Sequence, residues 1–397
     1  MLLPLKRKLR KNRGVRVFLS RIYGLYWNIP MGVARLFRGI DPNLVTFSAF
    51  EGLSYCDSPR CISEALHAAR PETRIAWLFE NVEDARAKYD IPDYVRVCDA
   101  NRLSGMAALA RARVIVDNTR KHFYINVPGR KQEYIQTWHG DRPFKVIGYD
   151  NPFNIIMLEE KCTLVLSGSD FGERILRSAF HYKGEVMNLG CPRNDMLVRN
   201  DPAERAKVRA GLGLDEDCGA LLYAPTFRDV ERRASQSHRA RMDLQHTLDV
   251  LERTTGKKWK CLVRAHYLSF GISAEDASDR LLPVSDYPEM AELMIASDAL
   301  LTDYSSLASD FVLLKRPIYL YQDDVEEYEN KNRGFYLPMS DYDYWIAHTP
   351  EELDALIERT TPERTAENCE KLIDFYGMHE TGRSTEAAVK YIVSKLK

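Results

Sequence analysis

Several patterns that would assign a chain to a class at once are missing from this sequence of 397 residues. Its eight cysteines include no CxxC pair and no Cys/His ligand spacing, which argues against a zinc site or a disulfide framework and favours a reducing compartment. No apolar run reaches the roughly 18 residues of a membrane span. Paired-carboxylate, Ser-His-Asp and P-loop patterns are missing too. Asp341 and Asp343 form a DxD, but their Tyr-rich surroundings do not resemble a metal site.

Acidic residues are missing from residues 1–40, which hold ten Lys or Arg. The rest of the chain therefore has a formal charge of −11, and the whole chain has −1. Apolar side chains recur three or four residues apart in this segment: Phe18, Ile22, Leu25, Tyr26 and Ile29. The pattern predicts a basic amphipathic helix that Pro30 stops. The long basic stretch and the lack of a small-residue cleavage site argue against a secretory signal.

Such a helix can lie in the headgroup plane of an anionic membrane, with its apolar face buried and its basic residues on the lipid phosphates. Two alternatives are a solvated basic tail followed by a helix packed on the body, and nucleic-acid binding. The interleaved aromatic residues favour the membrane, and no nucleic-acid motif follows. We therefore expect an anionic membrane surface, and no nucleic acid, as a partner.

From Val45 onward, short apolar β-branched runs alternate with helical stretches. The predicted strands are 45–50, 74–79, 95–98, 114–117, 134–138, 163–169, 186–190, 221–225, 261–266, 299–303 and 317–321. The predicted helices lie near 59–69, 102–111, 171–180, 202–211, 351–360, 366–376 and 383–396. This alternation predicts an α/β fold of two facing, doubly wound Rossmann-like domains with a ligand cleft at the carboxyl ends of their strands.

The predicted domain organisation has four parts. A basic amphipathic membrane-associating segment, 1–43, precedes a Rossmann-like domain at 44–195. A second Rossmann-like domain spans 196–365, and helices in 366–397 pack back across the domains.

The segment QTWHGDRPFK at 136–145 carries the sharpest local feature, because a predicted strand runs into His139 there. A histidine at the carboxyl end of a strand can act as a general base, since its reference pKa is about 6.5. Gly140 leaves room for a substrate, and Arg142 and Lys145 add positive charge. We take His139 as a catalytic candidate and the other three as candidate substrate contacts; a structural hydrogen-bonding role for His139 is the alternative.

A second feature is ALLTDYSSLASDF at 299–311, where Asp303, Ser305 and Ser306 stand between a strand and a helix. Helix N-termini present free N–H groups to phosphates, so hydroxyls there suit a phosphate site. Simple N-capping is the alternative reading. Asp310, on the same helix, either faces the cleft or makes a surface pair.

Three further strand ends carry polar residues. LLYAPTFRD places Thr226 and Arg228 after a strand, LVRAH places His266 after the next, and NLGCPRND places Arg193 and Asn194 at the start of a helix. Each is weak alone, since turns commonly contain such residues. Arg193 and Asn194 are further candidate substrate contacts. Together these loops indicate phosphate chemistry without a protein-held metal or bound cofactor.

With these motifs in order, most of the chain from Val45 resembles the CDP-glycerol glycerophosphotransferase family of teichoic-acid synthesis. The motifs are FSAFEGLSYCDSPRCISEAL, WHG, GCPRND, APTFRD, RAH and SDYPEMAELMIASDALLTDYSSLASDF. The resemblance implies a two-domain GT-B fold, with an acceptor-side first domain and a second domain that binds the CDP donor. It also implies two catalytic histidines, His139 and His266. The implied donor-site residues are Thr226, Arg228, Asp303, Ser305, Ser306 and Asp310.

The resemblance further implies transfer of glycerol phosphate from CDP-glycerol to a hydroxyl of a lipid-linked (polyprenyl) glycan, with release of CMP. The enzyme would be cytoplasmic and peripheral on the inner face of the bacterial membrane, and a soluble magnesium ion can accompany the diphosphate. A CDP-ribitol phosphotransferase, a UDP-sugar GT-B glycosyltransferase and a non-catalytic membrane-bound partner of a polymer-synthesis complex are the alternatives. The polyol, the acceptor, primase or polymerase action, the oligomeric state and the metal dependence are left open.

Two positions depart from the family pattern. Members often read WHGTPLK, whereas this chain reads WHGDRPFK with one extra residue, and Tyr267 stands where Pro usually follows the second histidine. Both departures lie beside the expected chemistry. They bear on the acceptor more than on the reaction, since both histidines and the DYSS segment are present.

Overall fold

A computed structural model describes residues 13–119, 132–151, 162–226, 242–264, 278–325, 328 and 334–397. The chain divides into two compact units. Unit 1 comprises Met1–Asp141, Ile147–Asp195 and His379–Lys397, and unit 2 comprises Arg142–Val146 and Met196–Met378.

Unit 1 is built on a parallel sheet of seven strands in the order β3-β2-β1-β4-β5-β6-β7. Its strands are β1 (Leu44–Ser48), β2 (Arg74–Phe79), β3 (Val95–Asp99), β4 (Val114–Asp117), β5 (Glu133–Gln136), β6 (Leu164–Ser167) and β7 (Glu185–Asn188). Its helices are α1 (Arg13–Arg38), α2 (Asp57–Ala69), α3 (Val82–Lys88), α4 (Leu103–Arg111), α5 (Asp170–Ala179) and, later in the chain, α13 (Ser384–Lys395). In the register, Val45 of β1 lies between Ile75 and Val114.

Unit 2 repeats the plan with a parallel sheet of six strands in the order β10-β9-β8-β11-β12-β13. The strands are β8 (Gly219–Tyr223), β9 (Trp259–Val263), β10 (Leu281–Pro283), β11 (Ala299–Thr302), β12 (Ile318–Tyr321) and β13 (Trp345–Ala347). The helices between Asp195 and Met378 are α6 (Asp195–Arg199), α7 (Pro202–Gly211), α8 (Leu244–Thr255), α9 (Met290–Ala296), α10 (Leu307–Phe311), α11 (Pro350–Glu358) and α12 (Pro362–Tyr376).

Both sheets have a topological switch point, where the strand order reverses. In unit 1 it lies between β1 and β4, and in unit 2 between β8 and β11. Open α/β sheets bind ligands beyond the carboxyl ends of the strands at such points. We therefore expect a ligand site at the loops after these four strands.

The start of the C-terminal segment, predicted at 366, falls inside the continuous helix α12. The structure moves the change from unit 2 to unit 1 to His379. The reason is packing: Ala388 and Ile392 of α13, and Leu396 directly after it, join the buried core around β1 and β2. Apolar burial of this kind anchors the end of the chain to unit 1.

The prediction that Pro30 stops the first helix is wrong, because α1 continues through Pro30 to Arg38. A proline inside a helix costs about 3 kcal/mol. Tertiary contacts beyond it offset that cost: Met31 is fully buried and the Arg35 Nε donates to the Ala110 carbonyl at 3.2 Å. Among the described residues, none of the helices is both long and apolar enough to cross a membrane.

Candidate active site

Asn118, which follows β4, joins the loops after three neighbouring strands of unit 1. Its side-chain oxygen accepts a hydrogen bond from the Phe50 N–H at 2.7 Å, in the loop after β1. Its carbonyl oxygen lies 2.8 Å from Nδ1 of His139, in the loop after β5. The Phe50 ring packs 5.5 Å from the imidazole, centroid to centroid. The imidazole is therefore held at the switch point of the sheet.

The contact with Asn118 also fixes which nitrogen of the neutral imidazole carries the proton. A carbonyl oxygen only accepts, so Nδ1 of His139 donates and Nε2 keeps its lone pair. The surrounding protein desolvates the imidazolium and lowers the pKa of His139, while the Asn118 carbonyl and the charge of Asp57 act in the opposite direction. The side chain is densely surrounded but still exposed. At neutral pH it can therefore accept a proton at Nε2.

Four non-glycine residues next to this imidazole adopt positive φ angles. They are Phe50 (46°), Glu51 (63°), Asp57 (63°) and Trp138 (46°). Backbone strain of this kind costs about 1–3 kcal/mol per residue and collects at functional sites. The Gln136 side chain supports the turn at Trp138, since its oxygen accepts from the Trp138 N–H at 3.0 Å.

Asp141, two residues after His139, ties the other end of this loop to unit 1. Its carboxylate is 3% exposed and accepts from Ser167 Oγ at 2.7 Å, Ser169 Oγ at 2.9 Å and Gly168 N at 3.2 Å. Gly172 makes room for it, because a Cβ there would lie 2.3 Å from an Asp141 oxygen. The residue at which WHGDRPFK departs from the family pattern is thus a buried anchor.

In unit 2, Asp303 ties the ends of the two strands at the switch point together. Its carboxylate accepts from both the N–H and the hydroxyl of Thr226 at 2.9 Å, and from the Tyr304 N–H at 2.6 Å. Asp303 is only 2% exposed. These hydrogen bonds to the Asp303 carboxylate stabilise the loop and hold Thr226 beside Asp303.

Arg142 and Asp310, both predicted to face substrate, form a buried ion pair in unit 2. The Arg142 Nη2 lies 2.6 Å from Asp310 Oδ1, and the Arg142 side chain has no exposed surface. Phe144 fixes the same segment, with its ring edge-on to those of Tyr342 and Tyr344. Breaking a buried pair by removing one partner is strongly destabilising, so this pair is a structural support.

The structure sorts the predicted site residues by exposure. The accessible or half-buried ones are His139, Lys145, Thr226, Ser305 and Ser306. The buried ones are Gly140, Arg142, Arg193, Asn194, Asp303 and Asp310. Arg228 and His266 lie outside the described residues. Within the described part of the chain, no group of three or more His, Cys, Asp or Glu is placed to hold a metal ion.

Sequence reasoning missed three residues that organise the His139 loop: Asn118, Asp141 and Glu380. Asn118 carried a usable signal, because it directly follows the apolar run VIVD and so stands at a strand end. Glu380 accepts from the Cys191 N–H and from Asn194 Nδ2, both at 2.9 Å, and these partners are nearly 190 positions away in the sequence. No local pattern indicates such a pair.

A family model described as CDP-Glycerol:Poly(glycerophosphate) glycerophosphotransferase matches residues 31–394. The chain belongs to this family. Family membership confirms the predicted resemblance and the expected class of enzyme. The matched range contains all the motifs from the first strand to the DYSS segment.

Individual relatives agree with the family. The chain is 29% identical to a teichoic acid poly(glycerol phosphate) polymerase of Bacillus spizizenii over 399 residues, which are 95% of this chain and 98% of the relative. It is 31% identical over 317 residues to the polymerase of Staphylococcus epidermidis, where the match covers 75% of this chain and 43% of that protein. A Bacillus spizizenii teichoic acid ribitol-phosphate primase is 26% identical over 409 residues, 96% and 99% of the two chains.

Solved structures support the fold. The wall teichoic acid polymerase TagF superposes with a TM-score of 0.77 at 27% identity, over 96% of both chains. A UDP-N-acetylglucosamine 2-epimerase from Listeria monocytogenes gives a TM-score of 0.51 at 13% identity, over 89% of this chain and 97% of that chain, and shows the fold alone. The predicted α/β fold of GT-B type is confirmed.

The Asp141 anchor predicts a non-additive pair of substitutions. Gly172→Ala should lower the free energy of unfolding by about 1–3 kcal/mol, because the new methyl group overlaps the Asp141 carboxylate. In an Asp141→Ala background the same change should cost nothing or stabilise α5, since Ala is the better helix former. Urea unfolding of the four proteins gives the coupling energy.

Gly211→Ala is the matched control for this cycle, because nothing lies within 4 Å of a Cβ at that helix position. It should leave the unfolding midpoint unchanged or raise it. Equal costs of Gly172→Ala in both backgrounds would show that Asp141 does not occupy the space beside Gly172.

Proposed function

We propose that this protein transfers glycerol phosphate from CDP-glycerol to a hydroxyl of a lipid-linked acceptor, with release of CMP, in the synthesis of a teichoic-acid-like polymer. The exposed His139, whose Nδ1 is held on the Asn118 carbonyl at the switch point of unit 1, carries the proposal. Support also comes from the family match and from the polymerase that aligns over 98% of its length.

In the proposed reaction, Nε2 of His139 takes the proton of the acceptor hydroxyl as the oxygen attacks the phosphorus that bears the glycerol. A new P–O bond forms, and the bond from that phosphorus to the oxygen bridging to cytidylate breaks. CMP leaves with the electron pair. A base at this position contributes about 10²–10⁴-fold to the rate.

Unit 2 is proposed to bind the donor. The hydroxyls of the half-buried Ser305 and Ser306 can donate to diphosphate oxygens. The Thr226 hydroxyl already donates to Asp303, which holds the loop beside them. Asp310 supports the donor site indirectly, through its buried ion pair with Arg142. We assign charge neutralisation on the diphosphate to Arg228 and His266 from the family resemblance.

CDP-ribitol is the second candidate donor. The observation that favours it is the ribitol-phosphate primase, which aligns with 96% of this chain. Both polyol donors present the same cytidine diphosphate and differ only in the polyol. The proposed chemistry is the same for either.

Release of CMP tests the proposed reaction. Purified protein is given CDP-glycerol, CDP-ribitol or a UDP-sugar, together with a polyprenyl-linked acceptor that is active with a known enzyme. We expect release from CDP-glycerol that falls at least ~100-fold in His139→Gln, as on loss of a general base. His246→Gln, a change at an exposed histidine paired with Asp354, is the matched control and should keep full activity.

The donor that gives release identifies the polyol. Transfer from the UDP-sugar alone would replace the proposal with a sugar transferase. No release of CMP from any donor by folded protein would favour a non-catalytic partner of a polymer-synthesis complex.

We also propose that α1 places the protein on the inner face of the cytoplasmic membrane. Met31 and Arg35 of α1 pack on the rest of unit 1. Other apolar side chains of α1 are exposed. The exposed set is Ile22, Leu25, Tyr26, Ile29, Val33, Leu36 and Phe37, with exposed fractions of 48–82%. An apolar stripe beside a basic segment suits an anionic lipid interface.

Vesicle sedimentation tests this placement. We expect binding to phosphatidylglycerol vesicles, weaker binding to phosphatidylcholine, and weakening by salt because the basic residues are screened. Ile29→Asp with Leu36→Asp should reduce binding more than tenfold, since each buried apolar side chain contributes about 1.5–3 kcal/mol. Leu53→Asp, at a comparably exposed site outside α1, is the control. Equal binding of all three proteins would contradict the placement.

A further inference from the structure

Arg193 reaches the turn that presents His139. It lies in the loop after β7, is 7% exposed, and donates from Nη1 to the Trp138 carbonyl at 3.1 Å. Trp138 is the residue directly before His139 and has a φ of 46°. The guanidinium therefore holds the strained peptide unit from which the imidazole projects. A buried arginine on a backbone carbonyl is placed to support the turn.

The Arg193 loop is itself held by the C-terminal segment of unit 1. Glu380 accepts from the Cys191 N–H and from Asn194 Nδ2, both at 2.9 Å. Asp195 accepts from the Ser384 N–H at 2.9 Å, at the start of α13. The loop is thus clamped on both sides of Arg193.

Close packing adds to this clamp. At Gly190 a Cβ would lie 2.1 Å from the Ser384 hydroxyl, and the φ of 116° there requires glycine. The N–H of Arg193 donates to the Ser58 hydroxyl at 3.3 Å, on α2. The position of Arg193 is therefore set by α2 and the C-terminal segment together.

We propose that Arg193 is a positioning residue for His139, held in place by Glu380, and not a contact for substrate. The inference rests on the proposed function for its effect on turnover. It assigns the C-terminal segment, about 240 positions after His139 in the sequence, a part in the active site of unit 1.

The position of Arg193 beside the His139 loop also affects the pKa of His139. Arg193 lowers the pKa of His139, whereas Asp57 at the start of α2 and Glu51 in the loop after β1 raise it. Substitution of Arg193 by an uncharged residue should therefore raise the pKa of His139, and Asp57→Asn should lower it. The two variants move the same titration in opposite directions.

The test follows the titration of His139 directly. Diethyl pyrocarbonate modifies only the unprotonated imidazole, so its rate against pH, read at the His139 peptide by mass spectrometry, gives the pKa. We expect a higher pKa in Arg193→Gln, a lower one in Asp57→Asn, and a value close to wild type in Arg193→Lys. This readout needs no donor and no acceptor, so it stands apart from the proposed function.

Turnover provides the second readout. Arg193→Gln should lower kcat for CMP release roughly 100-fold with an unchanged KM for CDP-glycerol, as expected for a misplaced base. Arg193→Lys should recover part of this loss, and Glu380→Ala should show a smaller decrease. Arg177→Gln, at a half-exposed arginine on α5 that pairs with Glu173, is the matched control and should match wild type.

An unchanged pKa of His139 in Arg193→Gln, with kcat within about twofold of wild type, would overturn the proposal. A higher KM for CDP-glycerol with unchanged kcat would make Arg193 a substrate contact instead. If Arg193→Gln does not fold, Arg193→Lys decides the outcome: the proposal expects a lower kcat with an unchanged KM for CDP-glycerol, and a kcat within about twofold of wild type would overturn it. Failure of wild type to release CMP would reject the proposed function and leave the titration result intact.

Discussion

The hydrogen bond between Nδ1 of His139 and the Asn118 carbonyl sets the arrangement of unit 1 around its switch point. A neutral imidazole has one N–H, so a carbonyl acceptor on one nitrogen leaves a lone pair on the other. The same residue holds Phe50 through its side chain. The contacts of Trp138 and Asp141 keep the loop from turning the ring away. Preorganisation of this kind is what a proton-transfer step requires, because the base must meet the hydroxyl in one geometry.

Unit 2 uses the same principle with a charged side chain. Asp303 bridges the strand ends at the second switch point through Thr226, and Asp310 neutralises the buried Arg142. Both carboxylates satisfy buried donors, which would otherwise be costly to leave unpaired. Polar residues at the ends of parallel strands thus divide into those that face a ligand and those that hold the loops.

Most strands and helices after Val45 could be predicted because β-branched runs and turn residues mark them locally. The short strands β10 and β13 and the helices α3, α8 and α9 were missed. The path of α1 could not, because packing of Met31 outweighed the local effect of Pro30. The buried roles of Arg142 and Asp310 depend on a partner 168 positions away. The bond to Asn118 uses a backbone carbonyl, which every residue has, so side-chain type gives no signal for it.

The tautomer of His139 tests this account most directly. Protein labelled with ¹⁵N in the rings of its nine histidines, with His139 assigned through His139→Gln, is measured at a pH above the pKa of the group. We expect a protonated Nδ1 and an unprotonated Nε2 for His139. A neutral ring that carries its proton on Nε2 would contradict it, because the nitrogen assigned to take the acceptor's proton would already be occupied.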